Sequence, residues 1–358
     1  MDQRLPPLGI FRPPTGSDVA REAGVSKSAV SRAFTGGVVS AEARERILKA
    51  ARKLRYRPSL TARSLTTSQS KLIGVAVTHL DNQFYPDIIE RLSLRLGAAG
   101  FRIVLFVTRG DADLEPMLDE LLGYRLDGVV LASSSMAAEV AAECLATGVP
   151  VSMFNNVDPD GRVPGVCADN AHGAALVARF LLSGGHRRCA VISGLAESTT
   201  SVERSEAFAA TLIAAGADAP RQVSGAFSFD GATRATRDLL LGSAPPDAVF
   251  CVNDHMALAA LQAARSLGRK PGEDISIVGF DDVEIGAWPA FSLTTYAQPV
   301  DAMIEQTVER LLRGVAGNAV PQDTLRLPGR LLVRDSARLP LGVAVDRDGC
   351  AYWDPGTV

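Results

Sequence analysis

Cysteine is scarce in this 358-residue sequence, and long apolar runs are missing. The five cysteines include no Cys-x-x-Cys pair, which predicts buried free thiols rather than a zinc site or a disulfide framework. No window approaches the roughly 18 uncharged apolar residues of a membrane span, and the first residues lack the apolar core of a signal peptide. We therefore expect a cytoplasmic protein that makes no contact with a membrane.

The common motifs of α/β enzymes are also missing. The chain has no Gly-x-Gly-x-x-Gly after the first strand of either predicted series, no phosphate-binding loop, no Gly-x-Ser-x-Gly turn and no metal-ligand cluster. These absences argue against a small-molecule enzyme, which is the main alternative from another functional class. We expect no cofactor and no metal ion.

Charge is distributed unevenly along the chain. Residues 1–71 contain 14 Lys and Arg against 5 Asp and Glu, a net charge of +9, and the remainder has a net charge of −12. A basic head on an acidic body suits a protein whose first segment meets phosphates. A charge-rich, solvated helix is the alternative explanation of the same excess.

Residues 15–32 have the spacing of a helix-turn-helix, which makes DNA the first partner to consider. Ala20 is small enough for two helices to cross closely, Gly24 suits the turn, and Val30 faces inward. Ser26 is predicted to cap the second helix, and Ser40 a third. The side chains left pointing outward from the second helix are Lys27, Ser28, Ser31 and Arg32.

Composition divides the chain into five segments. They are a disordered leader at 1–14, a helix-turn-helix domain at 15–58, a hinge at 59–70, a two-lobed domain at 71–335 and a C-terminal tail at 336–358. The tail has no leucine heptads, so a dimer is favoured over a tetramer built on a coiled coil.

The two-lobed domain shows apolar runs of strand length alternating with amphipathic helical stretches. Such runs predict a doubly covered parallel sheet and an α/β fold. The predicted strands are 72–77, 102–107, 128–132 and 149–154, then 189–193, 248–252 and 275–280. The two series open alike, each with a strand, a loop and a helix that ends in a similar Gly-containing sequence. Two similar lobes with a cleft between them are therefore predicted.

Ligands of open α/β sheets bind beyond the carboxyl ends of the strands. The candidate cleft residues that follow these strands are Phe84, Tyr85, Ser133 to Ser135, Asn155, Asn156, Arg204, Asn253, Asp254, Asp281 and Asp282. Hydroxyl, amide, carboxylate and guanidinium groups beside aromatic rings suit a small polar or hydroxylated solute.

Residues 15 to about 335 resemble the lac repressor/galactose repressor family of bacterial transcription regulators. The motifs that carry the resemblance are Asp18-Val-Ala-x-x-Ala-Gly-Val-Ser-x-x-x-Val-Ser-Arg32, Tyr56-Arg-Pro58 with Ala62-Arg-Ser-Leu65, Asp81-Asn-x-Phe84, Asp169-Asn170, Gly185-His-Arg187, Asn253-Asp254 and Gly279-Phe-Asp-Asp282. The resemblance implies an N-terminal three-helix DNA reader, a hinge helix and a two-lobed effector domain like a periplasmic binding protein.

The resemblance also assigns roles to residues of the first segment. Lys27, Ser28 and Arg32 match the family's readers of bases in the major groove, although Arg32 could equally hold a phosphate. Ser17 and Ser31 match positions that grip phosphates. Leu65 matches a hinge leucine that the family inserts into the minor groove.

In the cleft, Arg204 and Asp281 match the family's principal ligand-binding pair. Asn253 stands beside them, and Phe84 and Phe227 are the candidates for stacking on the ligand. The alternatives are an interlobe salt bridge for Arg204 and a simple polar turn at Asp281. One cleft residue departs from the family, since Asn155 stands where many members have Asp. This departure puts in question a preference for a sugar with the usual pattern of hydroxyl groups.

The resemblance implies a homodimer that binds a pseudo-palindromic operator and is switched by a small sugar-like effector between the lobes. The sign of the switch, induction or co-repression, is open. A protein co-regulator docking on the outer face is one alternative. A transport binding protein is another, which the basic head and the missing signal sequence oppose.

Overall fold

The chain folds into two compact units, which divide between Lys71 and Leu72. The computed structural model describes residues 12–57, 69–78, 80–108, 114–132, 137–158 and 160–355. Most of the predicted leader and hinge, and Pro58, lie outside these residues.

Three helices form the first unit. They are α1 (Gly16–Ala23), α2 (Lys27–Thr35) and α3 (Ala41–Lys53). The predicted caps are confirmed, because the side chain of Ser26 accepts from the N–H of Ala29 at 3.1 Å and that of Ser40 from the N–H of Ala43 at 3.2 Å. Each such cap stabilises a helix by ~1 kcal/mol.

The turn between α1 and α2 is as the sequence predicts. Gly24 has φ +63°, a left-handed conformation that only glycine adopts without strain. Ala20 and Val30 are buried in a core that α3 completes with Ile47. The helix-turn-helix is therefore held by a small apolar core and by capped helix ends.

The first lobe of the second unit contains a six-stranded parallel sheet in the order β11-β5-β4-β3-β1-β2. Its strands are β1 (Leu72–Val77), β2 (Arg102–Val107), β3 (Gly128–Ala132), β4 (Val151–Phe154), β5 (Gly165–Ala168) and β11 (Thr324–Leu327). Its helices are α4 (Phe84–Ala98), α5 (Leu114–Gly123), α6 (Ala137–Ala146) and α11 (Val300–Val315).

The second lobe contains an eight-stranded sheet in the order β13-β14-β12-β10-β9-β8-β6-β7. Its strands are β6 (Cys189–Ser193), β7 (Arg221–Ser224), β8 (Ala248–Cys251), β9 (Ser276–Asp281), β10 (Thr294–Ala297), β12 (Arg330–Leu332), β13 (Val343–Val345) and β14 (Ala351–Trp353). Its helices are α7 (Asn170–Ser183), α8 (Thr199–Ala214), α9 (Phe229–Leu241) and α10 (Asp254–Ser266), and a 3-10 turn spans Glu284–Ala287.

The chain passes between the two sheets three times, after β5, after β10 and after β11. The inner strands β1 and β3 are buried along nearly their whole length, whereas the edge strands β2, β7 and β11 are largely half-buried or exposed. This architecture confirms the predicted two-lobed α/β fold and brings the carboxyl ends of both sheets to one cleft.

Two short strands, β13 and β14, lie within the predicted C-terminal tail at 336–358. Strand β14 pairs antiparallel with β12, and β13 pairs with β14. Trp353 is buried and packs edge-on against Phe180, with 5.7 Å between the ring centroids. A strand of three residues is too short to leave a periodic pattern in the sequence. These two strands are recognised only by their pairing in the folded structure.

Candidate functional site

A cavity lies between the lobes at the carboxyl ends of the strands. Its lining residues are Thr78, Asn82, Phe84, Tyr85, Asn155, Leu195, Ser198, Thr200, Arg204, Phe227, Asn253 and Asp281. The structure thus brings all six predicted effector residues to one place. The free space inside is about 50 Å³, which is room for one or two water molecules.

Arg204 is the central charged group of the cavity, and its side chain is 3% exposed. Its Nε donates to Oδ1 of Asn170 at 2.8 Å, and its Nη1 donates to the carbonyl of Val252 at 2.7 Å. The guanidinium also lies over the Phe280 ring, 3.7 Å from the centroid. Nη2 is buried and has no partner among the described residues.

Asp281 ends strand β9 and lies 3.5 Å from Nη1 of Arg204. Both residues belong to the second lobe, so the alternative of an interlobe salt bridge for Arg204 does not hold. Oδ1 of Asp281 accepts from Nε2 of Gln298 at 2.7 Å. Burial raises the pKa of Asp281, and Arg204 opposes that rise.

A second carboxyl group, that of Asp254, lies behind the cavity. Burial raises its pKa, and the nearby Asp281 raises it further. It accepts from the hydroxyl of Thr295 at 2.6 Å and from the N–H of Val283 at 2.9 Å. Asp254 therefore ties the loop after β9 to α10 rather than facing the cavity.

Asn155 presents an amide where the family resemblance suggests a carboxylate. It follows β4 with φ +54°, a conformation that Asn tolerates better than most residues. Its Oδ1 is buried without a partner among the described residues. Two buried atoms of lining residues, the donor Nη2 of Arg204 and the acceptor Oδ1 of Asn155, thus have no partner among the described residues.

Aromatic rings form the walls of the cavity. Phe84 and Tyr85 begin α4 and pack edge-on, with 5.6 Å between their centroids. Burial raises the pKa of Tyr85 to about 12, so its phenol stays protonated. Phe227 sits on a turn with φ +54°, and a Cβ at Gly194 would overlap its ring.

Asn253 has a structural role besides lining the cavity, since its Oδ1 caps α10 through the N–H of Met256 at 3.0 Å. Ser198 and Thr200 also line the cavity, and their hydroxyls lie 3.1 Å apart. Sequence reasoning missed these hydroxyls, although Ser198 follows β6 in the way that Arg204 does. It also missed Thr78, Asn82 and Leu195.

In the first unit, the predicted DNA contacts lie on the outer surface. Lys27, Ser28, Ser31 and Arg32 are exposed on α2, and Ser17 is exposed on α1. Arg44 lies nearby, but its guanidinium donates hydrogen bonds to the carbonyls of Ala33 and Gly37 at the end of α2. Two predictions, Leu65 and Ser133 to Ser135, fall outside the described residues.

Comparison with known proteins assigns the family. Residues 16–59 match the family described as bacterial regulatory proteins, lacI family, and residues 178–337 match a periplasmic binding protein-like domain. The HTH-type transcriptional regulator CelR of Thermobifida fusca is 31% identical over 340 residues, which cover 91% of this chain and 98% of CelR. The chain belongs to the lacI family of bacterial regulatory proteins.

Other lacI-family proteins match along nearly their whole length. The ribose operon repressor of Escherichia coli K12 is 32% identical over 90% of this chain and 99% of its own. The lac repressor dimer bound to operator and the anti-inducer ONPF has a TM-score of 0.82 at 29% identity, covering 91% of this chain and all of that chain. The CelR–cellobiose complex has a TM-score of 0.69 at 30% identity, over 90% and 99% of the two chains.

These relatives are transcription regulators, and this lacI-family chain is likewise a DNA-binding transcription regulator. Within the described residues, no group of three or more His, Cys, Asp and Glu side chains is placed to hold a metal ion. No helix in that part of the chain is long and apolar enough to cross a membrane.

Proposed function

We propose that the cavity binds a small hydroxylated effector and that this binding sets the affinity of the protein for its operator. The observation that carries the proposal is that two residues lining the cavity each have a buried polar atom without a partner among the described residues, Nη2 of Arg204 and Oδ1 of Asn155. A buried polar group left unpaired costs about 1–3 kcal/mol. A hydroxyl group both donates and accepts, so a ligand rich in hydroxyls satisfies both atoms.

The walls of the cavity support a sugar-like ligand. Phe84, Tyr85 and Phe227 offer flat apolar surfaces beside the polar groups, and a sugar ring has one apolar face and a polar rim. Two relatives point to the same class, since one is the ribose operon repressor and one was solved with cellobiose. The effector residues are Phe84, Asn155, Arg204, Phe227, Asn253 and Asp281.

The size of the cavity connects ligand binding to lobe movement. Its free space of about 50 Å³ is well below the ~300 Å³ at the lower end of ligand pockets. A sugar therefore requires the lobes to separate or Phe227 to swing aside. A ligand that prefers one lobe arrangement shifts the population toward it, and the operator and the effector then alter each other's affinity reciprocally.

The DNA-binding unit is proposed to place α2 in the major groove, with Lys27, Ser28 and Arg32 toward the bases and Ser17 and Ser31 toward phosphates. Leu65 is proposed, from the family resemblance alone, as the minor-groove wedge. A homodimer on a pseudo-palindromic operator gives each half-site one such helix.

A thermal-shift screen of the full chain against D-ribose, D-glucose, cellobiose, D-gluconate and nucleosides tests the effector proposal. A ligand at a hundred times its Kd stabilises the folded state by about 2.7 kcal/mol and so raises Tm. The same compound must change operator affinity, and the direction of that change gives the sign of the switch. Asp281→Asn should lose the Tm shift, and Asp346→Asn, which changes a carboxylate outside the cavity lining, should keep it.

A uniformly blank screen with well-folded protein would overturn the sugar-like effector. A Tm shift that Asp281→Asn leaves intact would remove Asp281 from the site.

A further inference from the structure

A chain of hydrogen bonds leads from the edge of the first sheet to Arg204. Arg326 on β11 holds Glu203 on α8 in a two-pronged ion pair, with Nη2 to Oε1 at 2.6 Å and Nη1 to Oε2 at 2.9 Å. Strand β11 belongs to the first sheet, whereas α8 packs on α7 and β6 of the second lobe. The ion pair therefore joins the two lobes.

Asn170 continues the chain at the start of α7 and is fully buried. Its Nδ2 donates to Oε2 of Glu203 at 2.9 Å, and its Oδ1 accepts from Nε of Arg204 at 2.8 Å. A carboxylate can only accept and a guanidinium can only donate, so these two neighbours fix the amide in one orientation.

The fixed amide determines which part of Arg204 is available. Nε is bound by Asn170 and Nη1 by the carbonyl of Val252, which leaves Nη2 as the buried nitrogen without a partner among the described residues. We propose that Glu203, Asn170 and Arg326 are positioning residues, which hold Arg204 so that Nη2 faces the effector. This inference rests on the proposed function, since it assigns Arg204 to ligand binding.

The protonation state of Glu203 agrees with this role. Burial by itself raises the pKa of Glu203, but hydrogen bonds from Arg326 and Asn170 outweigh that effect and hold the pKa below its usual range. Glu203 therefore stays a carboxylate, which is the form that can only accept.

The test follows the Nε–H of Arg204 by side-chain NMR hydrogen exchange in the full-length, ligand-free protein, with the signal assigned by its loss in Arg204→Lys. Glu203→Met removes the acceptor for Asn170 and should speed exchange at least tenfold. Arg326→Met leaves that acceptor in place and should have a smaller effect. The matched control is Arg330→Met, which breaks an ion pair of the same 2.6 Å length to Asp346 within the second lobe and should leave exchange unchanged.

A charge-reversed double variant, Glu203→Arg with Arg326→Glu, separates positioning from simple ion pairing. It restores opposite charges across the lobes and should recover Tm. It removes the acceptor that orients Asn170, so exchange at Arg204 should stay fast. Unchanged exchange in Glu203→Met, or slow exchange restored by the double variant, would overturn the proposal.

If Glu203→Met does not fold, Arg326→Met and the double variant still decide the question. A different result would reject the proposed function. A blank sugar screen alongside the expected exchange pattern would reject the effector and keep the positioning chain.

Discussion

The helical unit carries its candidate DNA contacts on the outside of one short helix, whereas the two-lobed unit buries its candidate effector contacts between two sheets. Lys27 and Arg32 are exposed, but Arg204 is 3% exposed and Asp281 is 4% exposed. DNA brings its own large surface, so a protein needs only to present side chains to it. A small solute has to be enclosed. Each polar group around it must then form a hydrogen bond either within the protein or with the solute.

The largest expected effect is that of Gly279→Ala, which adds an atom to the two-lobed unit at a position where there is no room for it. A Cβ at Gly279 would overlap Oδ1 of Asp254, which accepts from the hydroxyl of Thr295. Oδ2 of the same carboxylate accepts from the N–H of Val283. Overpacking and displacement of a buried carboxylate should lower the free energy of unfolding by about 3 kcal/mol. Denaturant unfolding followed by tryptophan fluorescence measures this loss, since both tryptophans lie in the two-lobed unit.

The control for that experiment is Gly286→Ala. A Cβ at Gly286 would meet its nearest neighbour at 3.6 Å, an ordinary contact distance. An equal loss of stability in both variants would show that the crowding at Asp254 does not decide the effect.

Arg204→Lys should weaken effector binding in the two-lobed unit and leave DNA binding by the helical unit unchanged. One ammonium group cannot bind Asn170, the carbonyl of Val252 and a ligand in the geometry of a guanidinium. We expect roughly a hundredfold weaker effector binding, the scale of losing a charged hydrogen bond, with operator affinity unchanged in the absence of effector. Calorimetric titration with the sugar that raises Tm measures the loss, and Arg330→Lys is the control. Wild-type affinity in Arg204→Lys would refute the assignment.

On the exposed side, Lys27→Ala should change selectivity without disturbing the fold. A base contact by lysine in the major groove contributes about 1–3 kcal/mol of discrimination. Competition binding over an operator library randomised at each position should therefore show relaxed preference at one position per half-site. Lys53→Ala removes an exposed lysine that is paired with Glu22 and should leave the preference intact. Selectivity that is equal in all three proteins would contradict base reading by Lys27.

The smallest expected effect is that of Ser40→Ala, which tests local stability within the exposed unit. Its side chain caps α3 through the N–H of Ala43, and such a cap contributes about 1 kcal/mol. Backbone hydrogen exchange along α3 should become about fivefold faster, the factor that corresponds to that free energy. Ser31→Ala, on the outer surface of α2, should leave exchange in α3 as it is. Equal exchange rates in α3 of both variants would mean that the cap contributes nothing.

Much of the fold could be read from local patterns. The predicted strand bounds at 72–77, 102–107, 128–132 and 189–193 are those of the structure. Buried parallel strands are apolar throughout, and caps and turns use residues that bond their own backbone, so each signal lies within a few positions. Five of the six cleft residues were also predictable, because the end of each strand marks where its loop meets the cleft, whereas Phe227 was named from the family resemblance alone. Their roles stay predictions.

The partners of those residues were not predictable from the sequence. Glu203 and Arg326 are 123 positions apart, and Asn170 and Arg204 are 34 apart. The short strands β13 and β14 were missed for a related reason, since their pairing with β12 gives them their structure.

The sequence by itself determined the helix-turn-helix, the alternation of strands and helices, and the positions where side chains could reach a ligand. These features depend on spacing and on capping, which act between near neighbours. Only the tertiary structure decided that Asn170 orients Arg204, that Asp254 faces away from the cavity, and that Nη2 and the Asn155 oxygen stay unpaired. Those outcomes depend on which donors and acceptors burial brings within bonding distance, and chain order does not record that.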